Sequence, residues 1–90
     1  MFTADLTVKN KTGLHARPAS QLVMLSQKFE SEILISFGDE NDRVEVDPKS
    51  IISILSAGIC QGTPITLSAS GPDEETAGPA LVEFIDSLTE

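Results

Sequence analysis

Hydrophobic and polar residues alternate in four short stretches of the chain, and this is the pattern of a β-strand with one buried face. In the first stretch, every second residue from Phe2 to Val8 is apolar, with threonine and aspartate between. Later stretches repeat the spacing, at Ile33, Ile35 and Phe37, at Val44 and Val46, and at Ile65, Leu67 and Ala69. The alternation therefore predicts four strands.

Three other segments place their apolar residues at the spacing of an amphipathic α-helix. Their apolar faces are Ala19, Leu22, Val23, Ser26 and Phe29, then Ile51, Ile52, Ile54 and Leu55, and last Ala77, Ala80, Leu81, Phe84, Ile85 and Leu88. Gly58 follows the second helix as a C-terminal cap. Gly78 and Pro79 interrupt the third, and because proline removes a helical hydrogen bond, we expect this helix to begin late or to bend there.

The order of these elements, βαββαβα, predicts an α+β fold in which helices cover one face of a four-stranded sheet. The chain has 90 residues, and a chain of this length supports one modest core. No internal repeat or long linker divides it, so we expect a single domain spanning residues 1–90.

The one histidine of the chain, His15, stands at the predicted start of the first helix, in the run Thr-Gly-Leu-His-Ala-Arg-Pro-Ala. Gly13 permits a positive φ just before the turn, and Pro18 fits the first turn of a helix. His15 is therefore predicted to be the N-cap. The backbone N–H groups of Ala16 and Arg17 and one guanidinium then lie beside the imidazole. This arrangement suits a phosphate carried on the histidine, although a lone histidine is more often an ordinary loop residue.

The distribution of charge favours an anion at this segment. The chain has a formal net charge of −8, yet no acidic residue occurs from Leu6 to Phe29. The same stretch carries four cationic side chains, which are Lys9, Lys11, Arg17 and Lys28. A locally positive segment in an acidic chain attracts a negatively charged ligand. The overall acidity and the absence of Trp and Tyr argue against nucleic-acid binding.

Other classes of function find little support in the sequence. No apolar run approaches the length of a membrane-spanning helix, and no signal pattern begins the chain, so we expect no membrane and a cytoplasmic location. The acidic stretch from Gly38 to Asp47 does not match the spacing of a calcium loop. No His/Cys cluster indicates zinc, so we expect no metal and no cofactor. Cys60 has no internal disulfide partner and is expected to be a small buried residue.

The run from Gly13 to Ala19 resembles the active-site signature of the histidine-containing phosphocarrier (HPr) family of the bacterial sugar phosphotransferase system. The likeness continues at Lys49-Ser50-Ile51, from Gly58 to Gly62 and at Ser68-Ala69-Ser70-Gly71, and it covers nearly the whole chain. It implies an open-faced β-sandwich, in which three helices cover one side of a four-stranded antiparallel sheet. It also implies a monomeric phosphocarrier and not a true enzyme.

The resemblance assigns roles to the residues of the first motif. His15 would accept a phosphoryl group from phospho-enzyme I through Nδ1 and pass it to sugar-specific EIIA acceptors. Arg17 and the backbone N–H groups of Ala16 and Arg17 would stabilise the phosphate. Ser50 is expected to cap the second helix. In many members the matching serine is phosphorylated by a kinase, so an HPr kinase/phosphorylase is a further candidate partner.

A docking face is predicted on the second helix, because no charged residue occurs from Ser50 to Pro72. Ile51, Ile52 and Leu55 are candidate contacts, since the helix has more apolar residues than one buried face holds. A helix used only in the core is the equal alternative. Met24 and Gln27 stand where many members carry basic residues.

Two alternative functions stay open at this point. One is a regulatory homologue, resembling the nitrogen-related branch of the same system, that passes phosphate to control proteins. The other is a binding module without phosphotransfer, in which His15 is an ordinary contact residue.

Overall fold

The fold is that of a computed structural model that describes residues 1–89. Its seven elements follow the predicted order: β1 (Phe2–Thr7), α1 (Ala16–Ser26), β2 (Glu32–Phe37), β3 (Val44–Val46), α2 (Ile51–Ala57), β4 (Pro64–Ser70) and α3 (Glu74–Asp86). All four predicted strands and all three predicted helices are present.

The strands form one antiparallel sheet in the order β1-β4-β2-β3. Strand β4 therefore lies between β1 and β2. Leu67 pairs with Ala4 on one side and with Ile35 on the other. Ile35 in turn pairs with Val46 of β3. This register puts the apolar residues of all four strands on the same face, as the alternation predicted.

The core lies between that face and the helices. Its fully buried side chains include Ile35 and Leu67 from the sheet, Leu22 from α1, Ile54 from α2 and Leu81 from α3. The opposite face of the sheet is left uncovered and carries mainly polar residues, which are Thr3, Asp5, Glu32, Leu34, Ser36, Glu45, Thr66 and Ser68. The molecule is thus an α+β open-faced sandwich, as predicted.

Of the two outcomes expected for α3, the late start was wrong, and a bend at the Gly-Pro pair stays a prediction. The helix begins at Glu74, and Pro79 lies inside it, exposed to solvent. The first turn closes before the proline, because the carbonyl oxygen of Asp73 accepts hydrogen bonds from the N–H groups of Thr76 at 3.0 Å and Ala77 at 2.8 Å. Proline then removes one later hydrogen bond without preventing the helix from starting.

Gly78 has a separate role, in the contact between α3 and β1. The glycine is buried, and a Cβ at this position would overlap the ring of Phe2, with the Cε1 atom only 2.6 Å away. The missing side chain lets the first strand pack directly on the helix backbone. Gly78, which looked like part of an interruption, is therefore a packing site for β1.

Three smaller expectations also need correction. Phe29 and Leu88 lie just beyond the ends of α1 and α3, although both still pack against the core. Val44 is exposed, because β3 is a short edge strand and only Val46 reaches the core. Cys60 is exposed as well, since the preceding residue, Ile59, takes the buried position after α2.

The connection between β2 and β3 spans residues 38–43 and is fully exposed. It is closed by a turn in which the N–H of Asp42 donates to the carbonyl oxygen of Asp39 at 3.1 Å. Among residues 1–89, no three His, Cys, Asp or Glu side chains lie together in a group able to hold a metal ion. No helix in the same range is long and apolar enough to cross a membrane.

Candidate functional site

His15 is the N-cap residue of α1, as the sequence predicted. Its backbone is extended, with φ −127° and ψ 167°, and its side chain makes no capping hydrogen bond. The imidazole is half-buried at the N-terminal end of the helix. No acidic residue occurs in the first turn. The ring therefore stands at the positive end of the helix dipole without a neighbouring carboxylate from that turn.

Ala16 adopts a conformation that sequence reasoning missed. Its φ is +55°, and it is the one non-glycine residue of the described chain with positive φ. A left-handed backbone costs an alanine about 1–2 kcal/mol. Strained backbone of this kind persists only where the surrounding structure holds it in place, and it is found most often at functional sites. From the sequence alone, Ala16 is expected to be an ordinary first-turn residue, because an alanine does not indicate a left-handed backbone.

The loop before His15 is fastened to the segment that follows α2. Gly13 has φ +63°, as predicted, and a Cβ there would overlap the carbonyl oxygen of Ile59 and lie 2.6 Å from the Cα of Cys60. The N–H of Leu14 donates to that same carbonyl oxygen at 3.0 Å, and the Leu14 side chain is fully buried. The backbone on the N-terminal side of His15 therefore has little room to move.

Three cationic side chains lie in the chain segment that carries His15. Lys9 and Lys11 are exposed on it, and Arg17 is exposed in the first turn of α1, two residues after the histidine. The sequence from Leu6 to Phe29 contains no aspartate or glutamate. The exposed side chains of the segment that carries His15 therefore have a net positive charge, as the sequence predicted.

Lys49 takes a position that the sequence did not indicate. Its Nζ is turned inward and donates to the carbonyl oxygens of Phe29 at 2.8 Å and Ser31 at 2.9 Å. The side chain of Gln27 donates to the carbonyl oxygen of Lys49 at 3.1 Å. These three bonds tie the segment before α2 to the end of α1, so that the two helices pack side by side.

Ser50 is the N-cap of α2, as predicted, and its Oγ accepts a hydrogen bond from the N–H of Ser53 at 3.3 Å. Its own N–H donates to the carbonyl oxygen of Asp47 at 3.0 Å. Gly58 closes the helix in the left-handed conformation with φ +66°. The hydroxyl of Ser50 therefore has a structural role at the helix start, whatever else it does.

An exposed apolar surface lies on α1 and α2. Ile54 is buried in the core, whereas the other large apolar side chains of α2, and Met24 of α1, are exposed to solvent. We call this set the apolar patch; its exposed fractions are 63% for Met24, 37% for Ile51, 74% for Ile52 and 45% for Leu55. The alternative of a helix used only in the core is not what the structure shows.

Asp73 was not singled out from the sequence, yet it joins two parts of the chain. It is the N-cap of α3 but does not cap that helix with its side chain. Its carboxylate accepts hydrogen bonds from the hydroxyl of Ser31 and from the N–H groups of Glu30 and Ser31, both at 2.9 Å. The Ser31 hydroxyl, followed by these N–H groups, lowers the pKa of the Asp73 carboxyl.

A family model described as "PTS HPr component phosphorylation site" matches residues 2–87. The chain belongs to the HPr family. Two curated relatives of this family match over nearly their full lengths. The HPr-like protein Crh of Halalkalibacterium halodurans is 43% identical over 86 residues, covering 96% of this chain and 98% of the relative. The phosphocarrier protein HPr of Haemophilus influenzae is 35% identical over 88 residues, covering 98% and 99%.

Solved HPr structures share the fold. HPr-C-His from Thermoanaerobacter tengcongensis gives a TM-score of 0.83 at 46% identity, covering 97% of this chain and 93% of that chain. A structure described as an HPr dimer from the same organism gives a TM-score of 0.68 at 48% identity, covering 91% and 90%. HPr proteins are phosphocarriers of the phosphotransferase system, so the recognised sequence motif, the fold and the family model agree.

Proposed function

We propose that this chain accepts a phosphoryl group on His15 from phospho-enzyme I and passes it to EIIA-type acceptors. The observation that carries the proposal is the half-buried imidazole at the N-terminus of α1, which makes no capping bond and has no acidic neighbour in the first turn. An imidazole held in this way is available as a nucleophile, and the helix N-terminus favours the anion that it would carry.

The proposed transfer exchanges one nitrogen–phosphorus bond for another. A ring nitrogen of neutral His15, taken as Nδ1 from the family resemblance, attacks the phosphorus in line as the bond to the donor's histidine breaks. The donor imidazole, protonated on its other ring nitrogen, leaves as the neutral ring. His15 keeps its own N–H, so no net proton is released. Transfer to the acceptor repeats these steps in the forward direction, with His15 as the leaving group.

Arg17 and the backbone N–H groups of Ala16 and Arg17 would hold the phosphoryl oxygens. The contribution of a helix dipole at an exposed terminus is about 0.3–1 kcal/mol, and one exposed guanidinium adds a further modest attraction. A weak hold suits a carrier, because strong binding of the phosphorylated intermediate would slow the onward step. No cofactor or metal enters this scheme.

The apolar patch is the proposed docking surface for both the donor and the acceptors. Ile52→Ser removes its most exposed member, and we expect a higher KM for phosphorylation by enzyme I with little change in Tm. Val44→Ser is the matched control, because Val44 is also exposed but lies on the edge strand β3. Equal KM values for the two variants would place docking elsewhere.

Ser50 is proposed as a regulatory phosphorylation site for an HPr kinase/phosphorylase. A phosphate on its hydroxyl would put about two negative charges beside the otherwise uncharged apolar patch. Ser50→Asp tests this, with much slower phosphorylation of His15 expected at an unchanged Tm; Ser50→Asn is the uncharged control, since asparagine also caps helices. Wild-type rates in the aspartate variant would leave Ser50 with only its capping role.

A regulatory homologue is the second candidate function. It is favoured by the 43% identity to an HPr-like protein Crh, because a solved Crh structure is described as the Bacillus subtilis catabolite repression HPr. A panel of sugar-specific EIIA proteins and control proteins, each mixed with the phosphorylated chain, distinguishes the two. Transfer to the EIIA proteins supports sugar uptake, and transfer restricted to the control proteins supports the regulatory role. If His15 is never phosphorylated, a binding module without phosphotransfer replaces both.

The working unit is proposed to be a cytoplasmic monomer. Because a related HPr structure is described as a dimer, the oligomeric state needs its own measurement. Sedimentation equilibrium at several protein concentrations is expected to give the monomer mass throughout, and a mass that rises with concentration would contradict this.

A further inference from the structure

A buried amide side chain lies inside the loop that leads to His15. Asn10 is only 3% exposed. Its Nδ2 donates to the carbonyl oxygen of Gly13 at 2.8 Å and lies 3.4 Å from the Oγ1 of Thr12. The N–H of Gly13 donates back to the carbonyl oxygen of Asn10 at 3.1 Å. Main chain and side chain of Asn10 thus close the same four-residue turn.

The two ends of this loop are fixed from outside. At its start, the N–H of Val8 donates to the carbonyl oxygen of Thr63 at 3.0 Å; at its end, the N–H of Leu14 donates to that of Ile59 at 3.0 Å. Between these anchors, the bond from the Asn10 amide to the Gly13 carbonyl oxygen is a buried side-chain contact within the turn. His15 follows immediately and has no capping bond of its own to orient it.

We propose that Asn10 is a positioning residue for phosphoryl transfer, holding the turn so that the imidazole of His15 meets the incoming phosphorus in line. This rests on the proposed function. The buried amide of Asn10 acts through the backbone and does not touch the phosphoryl group, and it lies in a different element from the apolar patch. A variant that loses this positioning is therefore phosphorylated by enzyme I with a lower kcat and an unchanged KM. Misplacement of a reacting group by about 1 Å can cost about a hundredfold in rate.

Two variants separate positioning from stability. Asn10→Asp keeps the shape of the side chain but replaces the donor with an acceptor that faces the Gly13 carbonyl, and Asn10→Ala removes the contact. Ile85→Val is the control, because Ile85 is buried and belongs to α3, not to the loop. Each is assayed for phosphorylation by phosphoenolpyruvate and enzyme I well below its Tm. If Asn10→Ala does not fold, Asn10→Ser, which keeps a shorter donor, takes its place.

We expect kcat to fall by about tenfold to a hundredfold in both Asn10 variants, with unchanged KM, while Ile85→Val keeps wild-type kcat at a lowered Tm. A wild-type kcat in the Asn10 variants, or a change confined to KM, would overturn the positioning role. So would a kcat that falls equally in the control. If the wild-type chain is not phosphorylated on His15 at all, the proposed function itself fails, and the positioning role falls with it.

Discussion

Replacing Gly13 with alanine introduces one methyl group at the point where the histidine loop touches the segment after α2. Gly58→Ala is the matched control. The two glycines have nearly the same backbone conformation, with φ of +63° and +66°. The space around them differs. A Cβ at Gly58 meets nothing within 4 Å, whereas one at Gly13 overlaps the carbonyl oxygen of Ile59 and comes within 2.6 Å of the Cα of Cys60.

The magnitude follows from this difference. Both variants carry the left-handed strain of an alanine, about 1–2 kcal/mol, partly offset because alanine restricts the unfolded chain more than glycine does. Gly13→Ala also forces backbone apart, which costs about 1–3 kcal/mol by analogy with overpacked cores. It also weakens the hydrogen bond from the Leu14 N–H to the Ile59 carbonyl oxygen, which contributes about 1 kcal/mol to stability. Gly13→Ala is therefore expected to be less stable than Gly58→Ala by about 2–4 kcal/mol.

Urea unfolding monitored by circular dichroism measures both free energies of unfolding. For a domain of this size, each kcal/mol corresponds to about 4–8 °C in Tm, so thermal melts also resolve the difference. Gly13→Ala should in addition phosphorylate His15 more slowly than Gly58→Ala under conditions where both are folded. Equal stabilities for the two variants would refute the claim that the loop is pressed against the Ile59 backbone.

Three further outcomes are expected. Arg17→Lys keeps the charge but loses the planar fork that can hold two phosphate oxygens, so transfer should slow with little change in Tm; equal rates would remove the guanidinium from the transition state. Asp73→Asn should lower Tm at pH 7, because the bonds from Ser31 favour the ionised carboxylate and lower its pKa. That contribution is fully present above the unfolded pKa of about 3.9 and is lost as pH falls through the lower pKa of the folded state. The Tm difference from wild type should therefore narrow as the pH is lowered below the unfolded pKa, and a constant difference would contradict the linkage. Gly78→Ala should destabilise the chain by about 1 kcal/mol despite the better helix propensity of alanine, because the new methyl group overlaps the Phe2 ring. In a Phe2→Ala background this loss of stability should disappear, and a loss that persists would show that the Phe2 ring does not cause it.

The fold was predictable because its elements are encoded locally. Alternation identified all four strands, helical spacing identified the three helices, and the C-terminal cap at Gly58 was correctly placed. The late start predicted for α3 was wrong because Pro79 was expected to prevent the helix from beginning before it. Whether a proline prevents a helix from starting depends on where the first turn forms, and here Asp73 provides that turn. The packing of Phe2 on Gly78 joins residues far apart in sequence, so no local pattern could indicate it.

The candidate site was predicted in part, because only some of its features are encoded by neighbouring residues in the sequence. The N-cap position of His15 and the positive φ of Gly13 follow from neighbouring residues. The left-handed backbone of Ala16 does not, because alanine rarely adopts it. The inward turn of Lys49 also depends on a tertiary partner, the carbonyl oxygens after α1. A lysine in an exposed-looking segment gives no sign of such a contact.

Phosphorylation of the wild-type chain tests the central claim most directly. The chain is incubated with phosphoenolpyruvate and enzyme I, and its intact mass is measured before and after brief acid treatment, with His15→Ala alongside. We expect the addition of one phosphoryl group that acid removes and base preserves, and no addition in His15→Ala, whose fold is retained. Labelling that survives acid, or that persists in His15→Ala, would contradict the assignment of His15 as the phosphoryl carrier.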